Sequence, residues 1–243
     1  MADDNLADRV RQILVDHQLF FAAPSSFNDP FDCCPVHDYA ATEVQYQAYF
    51  LARSNGSRAS NANALMRARM LMQRDANALA GANKAFLAAR DTLMNGNGTL
   101  CLNIDAHHQL MWAHYGDSHR GICIQFDGQH EFFADAEPVH YSSQRPKLNM
   151  FTQSDDELFR NSVGTKSDVW AYEQEWRIMS HLHVGNVPFP RAAVSAVILG
   201  ERATHTTQTL VAQWCSEQAD PIPLHKAEFV ADSYLIRVPG LLT

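Results

Sequence analysis

Apolar residues Leu6, Val10, Ile13 and Leu14 recur at helical spacing, so the chain is predicted to open with an amphipathic helix over residues 6–14. A short β-type run follows at 19–22. Pro24, two serines and Asn28-Asp29-Pro30 then interrupt regular structure, because proline lacks a backbone donor and Asn and Asp side chains cap local turns. Between 42 and 95 the texture changes to Ala, Asn, Arg, Met and Gln without proline, which predicts two or three helices. Gly56-Ser57 should separate the first from the second, and Gly81 should kink or end the second. Met66, Met70 and Met72 suit a partner-binding face or gap-filling core, and core packing is the expectation.

The turn-forming residues Asn95-Gly96-Asn97-Gly98 introduce short β-like runs at 99–103, 121–126, 138–141, 175–180 and 194–199, with a helix-like stretch over 108–115. The closing third reads as a strand to residue 199, Gly200, a helix over 204–217, Asp220-Pro221 and a strand over 222–227. That order fits either a βαβ unit or a hairpin-like return around a helix, and a last strand is expected over 233–238. No internal repeat or long linker interrupts the pattern. The prediction is an α+β protein: a single domain over 1–243 with a mixed or split β-sheet and a helical insertion at 42–95.

Composition narrows the function classes. The 243 residues include 46% hydrophobic positions, ordinary for a globular protein, and no apolar run reaches the roughly 20 residues of a membrane-spanning helix. The first residues, MADDNLADRV, are acidic where a secretion signal is basic and then apolar, so a soluble, cytoplasmic protein is expected. A net charge of -8 gives no large drive toward a phosphate backbone and argues against nonspecific nucleic-acid binding. The five cysteines contain no CxxC pair and read as reduced, mostly buried thiols. His107, His108, His114 and His119 lie close together but match no zinc-ligand spacing, so no metal is expected.

Three segments depart from what packing alone selects. In the first, residues 24–32, Asn28 and Asp29 stand between prolines and are flanked by Phe27 and Phe31. This is either a ligand platform or a structural Asx turn anchored by the two rings. In the second, residues 111–121, Trp112, His114, Tyr115 and Arg120 gather where a helix runs through Gly116 into a strand. They suit a stacked planar ring and a phosphate, or a helix cap with Trp112 and Tyr115 in the core. In the third, residues 166–177, an extended strand would put Tyr172, Gln174 and Trp176 on one face and Glu173, Glu175 and Arg177 on the other. Two carboxylates and a guanidinium on one face are costly unless paired or functional.

Together these segments resemble the widespread bacterial domain-of-unknown-function family 2971. Its recurrent pattern runs from an FNDPF-type loop through an MWxHYxDxHRGICIxF-type segment and a WxYExEWR-type strand to a VILG-type strand, here residues 27–31, 111–126, 170–177 and 197–200. That family in turn looks like the ADP-ribosyltransferase superfamily, whose small split-sheet fold grips NAD and whose catalytic glutamate sits on a late strand. The resemblance implies ADP-ribosyl transfer or NAD hydrolysis, with NAD as substrate, Glu175 as the first match for the catalytic carboxylate and Glu173 as the second. It implies that Tyr115 or Trp112 stacks nicotinamide and that Arg120 or Arg177 faces the diphosphate. Members of the family usually begin with a short strand bearing a Tyr-Arg-Tyr or Lys-Tyr-type sequence, whereas here the first element is the helix. Either the start is missing or the role of that strand is lost. Two alternatives belong to other classes. One is a metal-dependent hydrolase using His114, His119, Asp117 and Asp29. The other is a non-catalytic ligand- or protein-binding module whose contact surface is 42–95, in the defence or toxin context that the resemblance implies.

Overall fold

The structure, a computed structural model, describes residues 2–241, with side chains from Ala7 onward. In chain order its α-helices are α1 (Ala2–Leu14), α2 (Glu43–Ala52), α3 (Arg58–Met72), α4 (Ala76–Gly96), α5 (Gln109–His114), α6 (Asp155–Val163) and α7 (His205–Ser216). Short strands, some of them only two residues long, connect them into several small sheets, which makes the class α+β. Chain contacts divide it into two compact units.

The first unit comprises Met1–Ala22, Thr99–Pro138 and Tyr172–Thr243. At its centre is the strand Val194–Leu199, whose run of buried apolar residues suits a strand covered on both faces. It pairs antiparallel with Ile122–Phe126 and parallel with Leu224–Lys226, Val197 standing opposite Leu224. Parallel pairing requires a crossover, and α7 supplies it, so a βαβ unit is formed rather than a hairpin-like return. Val211 and Cys215 of α7 are buried in the same cluster as Val10 and Leu14 of α1. Leu6, counted on the apolar face of that first helix, lies outside the described side chains. A second sheet has Trp176–Ser180 between Gly98–Leu102 and Glu137–Pro138, and Gln18–Phe21 pairs antiparallel with Gly185–Pro188. The strand expected over 233–238 is only Ile236–Arg237, closing a hairpin with Glu228–Phe229.

The second unit comprises Ala23–Gly98 and Val139–Ala171. The 42–95 stretch lies within it as α2, α3 and α4, and Ser57 caps α3 where the glycine-serine break was predicted. Gly81 neither kinks nor ends a helix: α4 continues through it, and the break comes earlier, at Arg74 (φ 54) and Asp75. One oxygen of the Asp75 carboxylate accepts from the Asn77 and Ala78 amides, satisfying donors that a helix start leaves open. The turn expected over 95–98 is likewise displaced, since α4 extends to Gly96. The Asn95 and Asn97 side chains donate to the Asp91 and Leu93 carbonyls, which holds the last turn together. The core of this unit joins Tyr46, Phe50, Ala68, Leu71, Phe86 and Phe151 with their neighbours. Met66 and Met72 are 55% and 46% exposed, so core packing fails for both. The alanines Ala64 and Ala68 fill that face of α3 instead, and their small size lets α2 approach.

Candidate functional site

The third sequence segment is not an extended strand. Asp168–Glu173 forms 3₁₀ turns, Gln174 adopts φ 45, and the strand begins only at Trp176. The expected alternation nevertheless survives as burial: Glu173, Glu175 and Arg177 are 3%, 6% and 1% exposed, whereas Trp176 is 37% exposed. The charged set therefore points inward. Arg177 Nε donates to Glu175 Oε1 at 2.7 Å and its terminal nitrogen to Oε2 at 2.9 Å, a two-point pairing of planar groups. Buried charges of this kind persist only when paired.

Glu173 has a different partner. The Tyr115 hydroxyl donates to Glu173 Oε1 at 2.7 Å, while the Tyr115 side chain, at the C-terminal cap of α5, is 52% exposed. One end of the phenol thus meets solvent and the other holds a buried carboxylate. Beside this pair, the His108 ring stacks on Tyr172 at 5.3 Å with planes 16° apart, and the exposed His114 ring lies 6.5 Å from Tyr172. His108 Nδ1 is buried without a hydrogen-bond partner. The sequence weighs His108 only as a metal ligand and Tyr172 only for the strand face it would share, and assigns neither to the site.

Arg120 stands on an exposed loop, forked onto Asp117 at 2.9 and 3.1 Å. That hydrogen bonding holds the Asp117 carboxyl below its ordinary range. Asp117, Ser118 and His119 take φ values of 46, 54 and 68, three successive left-handed residues that return the chain toward the strand at Ile122. Trp112 does not offer a stacking face. It is 4% exposed, packs with Ile198, Ala227 and Ile236, and donates its indole N–H to the Ala106 carbonyl at 2.8 Å.

Asn28 and Asp29 belong to the second unit. Asn28 is exposed, while Asp29 anchors its loop: one carboxylate oxygen accepts from the Phe31 amide and the other from the Trp170 indole at 2.8 Å. The Asx-turn reading holds, but Phe31 is 66% exposed and does not anchor it. The same unit buries Lys166 3.8 Å from Asp32, with the ammonium 5.2 Å from the Trp170 ring centre. Both residues lie at an end of a segment singled out in the sequence, yet only folding reveals that they pair.

Among the described residues no group of three or more His, Cys, Asp or Glu side chains is placed to hold a metal ion, and none of the five cysteines forms a disulfide. Burial pushes the Cys123 and Cys215 thiols up to about 11, whereas Cys101 departs from the mostly buried set and is exposed. Among the same residues no helix is long and apolar enough to cross a membrane.

Residues 111–178 match a family described as a protein of unknown function (DUF2971). The matched span contains Tyr115, Arg120, Glu173, Glu175 and Arg177, and leaves residues 27–31 and 197–200 outside it. No curated protein and no solved structure matches the chain.

Proposed function

We propose that the first unit cleaves the N-glycosidic bond of NAD or a closely related nucleotide, with Glu173 as the carboxylate that faces the reacting ribose. The observation that carries this reading is the Tyr115–Glu173 hydrogen bond, which ties a buried carboxylate to a phenol that reaches solvent. Cleavage of the bond between ribose C1′ and the nicotinamide nitrogen sends the electron pair to nicotinamide and leaves an oxocarbenium-like ribose. An adjacent carboxylate stabilises that charge. Water, or an acceptor hydroxyl, then attacks C1′ and releases its proton. Glu175 is the weaker candidate because the Arg177 fork engages both of its oxygens. In this reading Tyr115 orients Glu173, Tyr172 and His114 offer ring faces, and Arg120 exchanges Asp117 for a phosphate.

The test is mass spectrometry of NAD incubated with the full chain. Nicotinamide should be released by the wild type, by about 100-fold less in Glu173→Gln, and with intermediate loss in Tyr115→Phe. Equal, background-level release by wild type and Glu173→Gln overturns the proposal. A second reading, a protein-contact role for 42–95, draws on the exposed Met66 and Met72 of α3. Deleting that stretch and finding a defined partner still bound would remove it.

A further inference from the structure

A cavity of about 230 Å³ opens among α2, α3 and α4 of the second unit, and Met150 and Phe151 also line it. Its wall is almost wholly apolar, from Phe50, Leu71, Ala78, Ala82, Met150 and Phe151, and Arg67 and Asn77 bring polarity to it. We propose that this cavity binds a small amphipathic carboxylic acid, its apolar body held against Phe50 and Phe151 and its carboxylate received by Arg67.

Size sets the body of the ligand. An apolar cavity of roughly 150 Å³ accepts benzene, so this one has room for an aromatic ring carrying a short chain. Charge sets the head group. The Arg67 guanidinium lies 4.4 Å from the Phe50 ring centre, and that of Arg53 lies 3.9 Å from the centre of Tyr49, another wall residue. Among the described residues neither arginine has a carboxylate at ion-pair distance. The 42–95 stretch holds seven Lys and Arg against three Asp and Glu in a chain of net charge -8, so an anion approaching these helices meets a positive local field. Burial raises the Tyr49 pKa, whereas Arg53 and Arg67 lower it and Asp155 raises it further. The phenol therefore stands in the field of both guanidiniums, with one acidic neighbour. A planar guanidinium fixed on an aromatic ring presents its fork to a carboxylate with little rotamer freedom left to lose.

Gly81 provides the control. It lines the cavity at an exposed helical position that disfavours glycine, and a Cβ built there meets nothing within 4 Å, so a larger residue can be added at the cavity's edge without a clash. Calorimetric titration of the full chain should use 4-phenylbutyrate and, as its uncharged counterpart, 4-phenylbutan-1-ol. The acid should bind with one-to-one stoichiometry and more tightly than the alcohol. Arg67→Gln should weaken the acid about ten-fold while leaving the alcohol unchanged. Gly81→Leu should remove binding of both without lowering the melting temperature, and Ala85→Leu on the same wall should repeat that result. No binding of the acid up to about 10 mM, equal affinity for acid and alcohol, or binding that survives both leucine variants would each overturn the proposal.

Discussion

Arg177 and Glu175 close on each other through two hydrogen bonds of 2.7 and 2.9 Å in a place where neither side chain is more than 6% exposed. Two residues separated by a single position thereby pair a guanidinium and a carboxylate inside the fold. This geometry separates the two glutamates. Glu175 is committed to an internal charge pair, and Glu173 is held by a side chain that reaches solvent.

The pair should therefore matter to stability more than to chemistry. Removing one partner abolishes a buried two-point pairing, and Arg177→Met should cost roughly 3–5 kcal/mol by urea unfolding. Arg177→Lys should cost nearly as much, because an ammonium cannot reproduce the fork. Converting both residues together, as Glu175→Leu with Arg177→Met, should recover part of the loss. A cost below about 1 kcal/mol for the single Arg177→Met variant would show that the pair is not structural.

Much of this was legible before folding, for reasons that differ by residue. The alternation of Glu173, Glu175 and Arg177 predicted a shared direction, and burial confirms that direction although the strand does not form, because the 3₁₀ turns and the left-handed Gln174 still set neighbours on opposite sides. The βαβ return at Val194–Leu199 was one of two readings, since periodicity carries no information about whether Val197 meets Leu224 in parallel. Gly81 misled because helix propensity is a weak local cost that packing of Ala82 and Phe86 overrides. The Lys166–Asp32 and Tyr115–Glu173 contacts were out of reach, because each joins residues far apart in the chain whose local patterns name no partner.

Gly200 marks a second structural requirement that substitution can test. A Cβ at this position would lie 2.2 Å from the His119 carbonyl oxygen and 2.7 Å from its carbon, both backbone atoms. The loop returns here because the Gly200 amide donates to the Gly121 carbonyl and the Arg202 amide to that of His119. Gly200→Ala must push the 117–119 loop away and break those bonds, so a loss of about 2–3 kcal/mol is expected in thermal or urea unfolding. Gly81→Ala, with open space and a helical backbone, should instead stabilise by about 0.5–1 kcal/mol. Equal effects from the two alanines would contradict this account of the loop.

His37 sets a pH limit on the second unit. Its ring stacks on Phe86 at 4.1 Å with planes 7° apart and lies 3.9 Å from Tyr39, and both ring nitrogens are buried without hydrogen-bond partners. Burial lowers its pKa to about 4, against a smaller opposing effect of the Asp38 charge. The unfolded chain takes up this proton near the ordinary histidine value of about 6.5, so between 6.5 and about 4 the unfolded state binds more protons than the folded one. Stability is unaffected by this group above pH 6.5, falls as the pH drops through that window, and levels off below 4. The slope should be about 1 kcal/mol per pH unit, somewhat under the full linkage value because the ring is only partly buried. His37→Phe keeps a stacking ring and removes both orphaned nitrogens. It should stabilise the protein modestly at pH 7 and flatten its dependence on pH relative to the wild type across the window. Urea midpoints at pH 7, 5.5 and 4.5 measure the difference, and parallel curves for the two proteins would show that His37 does not carry it.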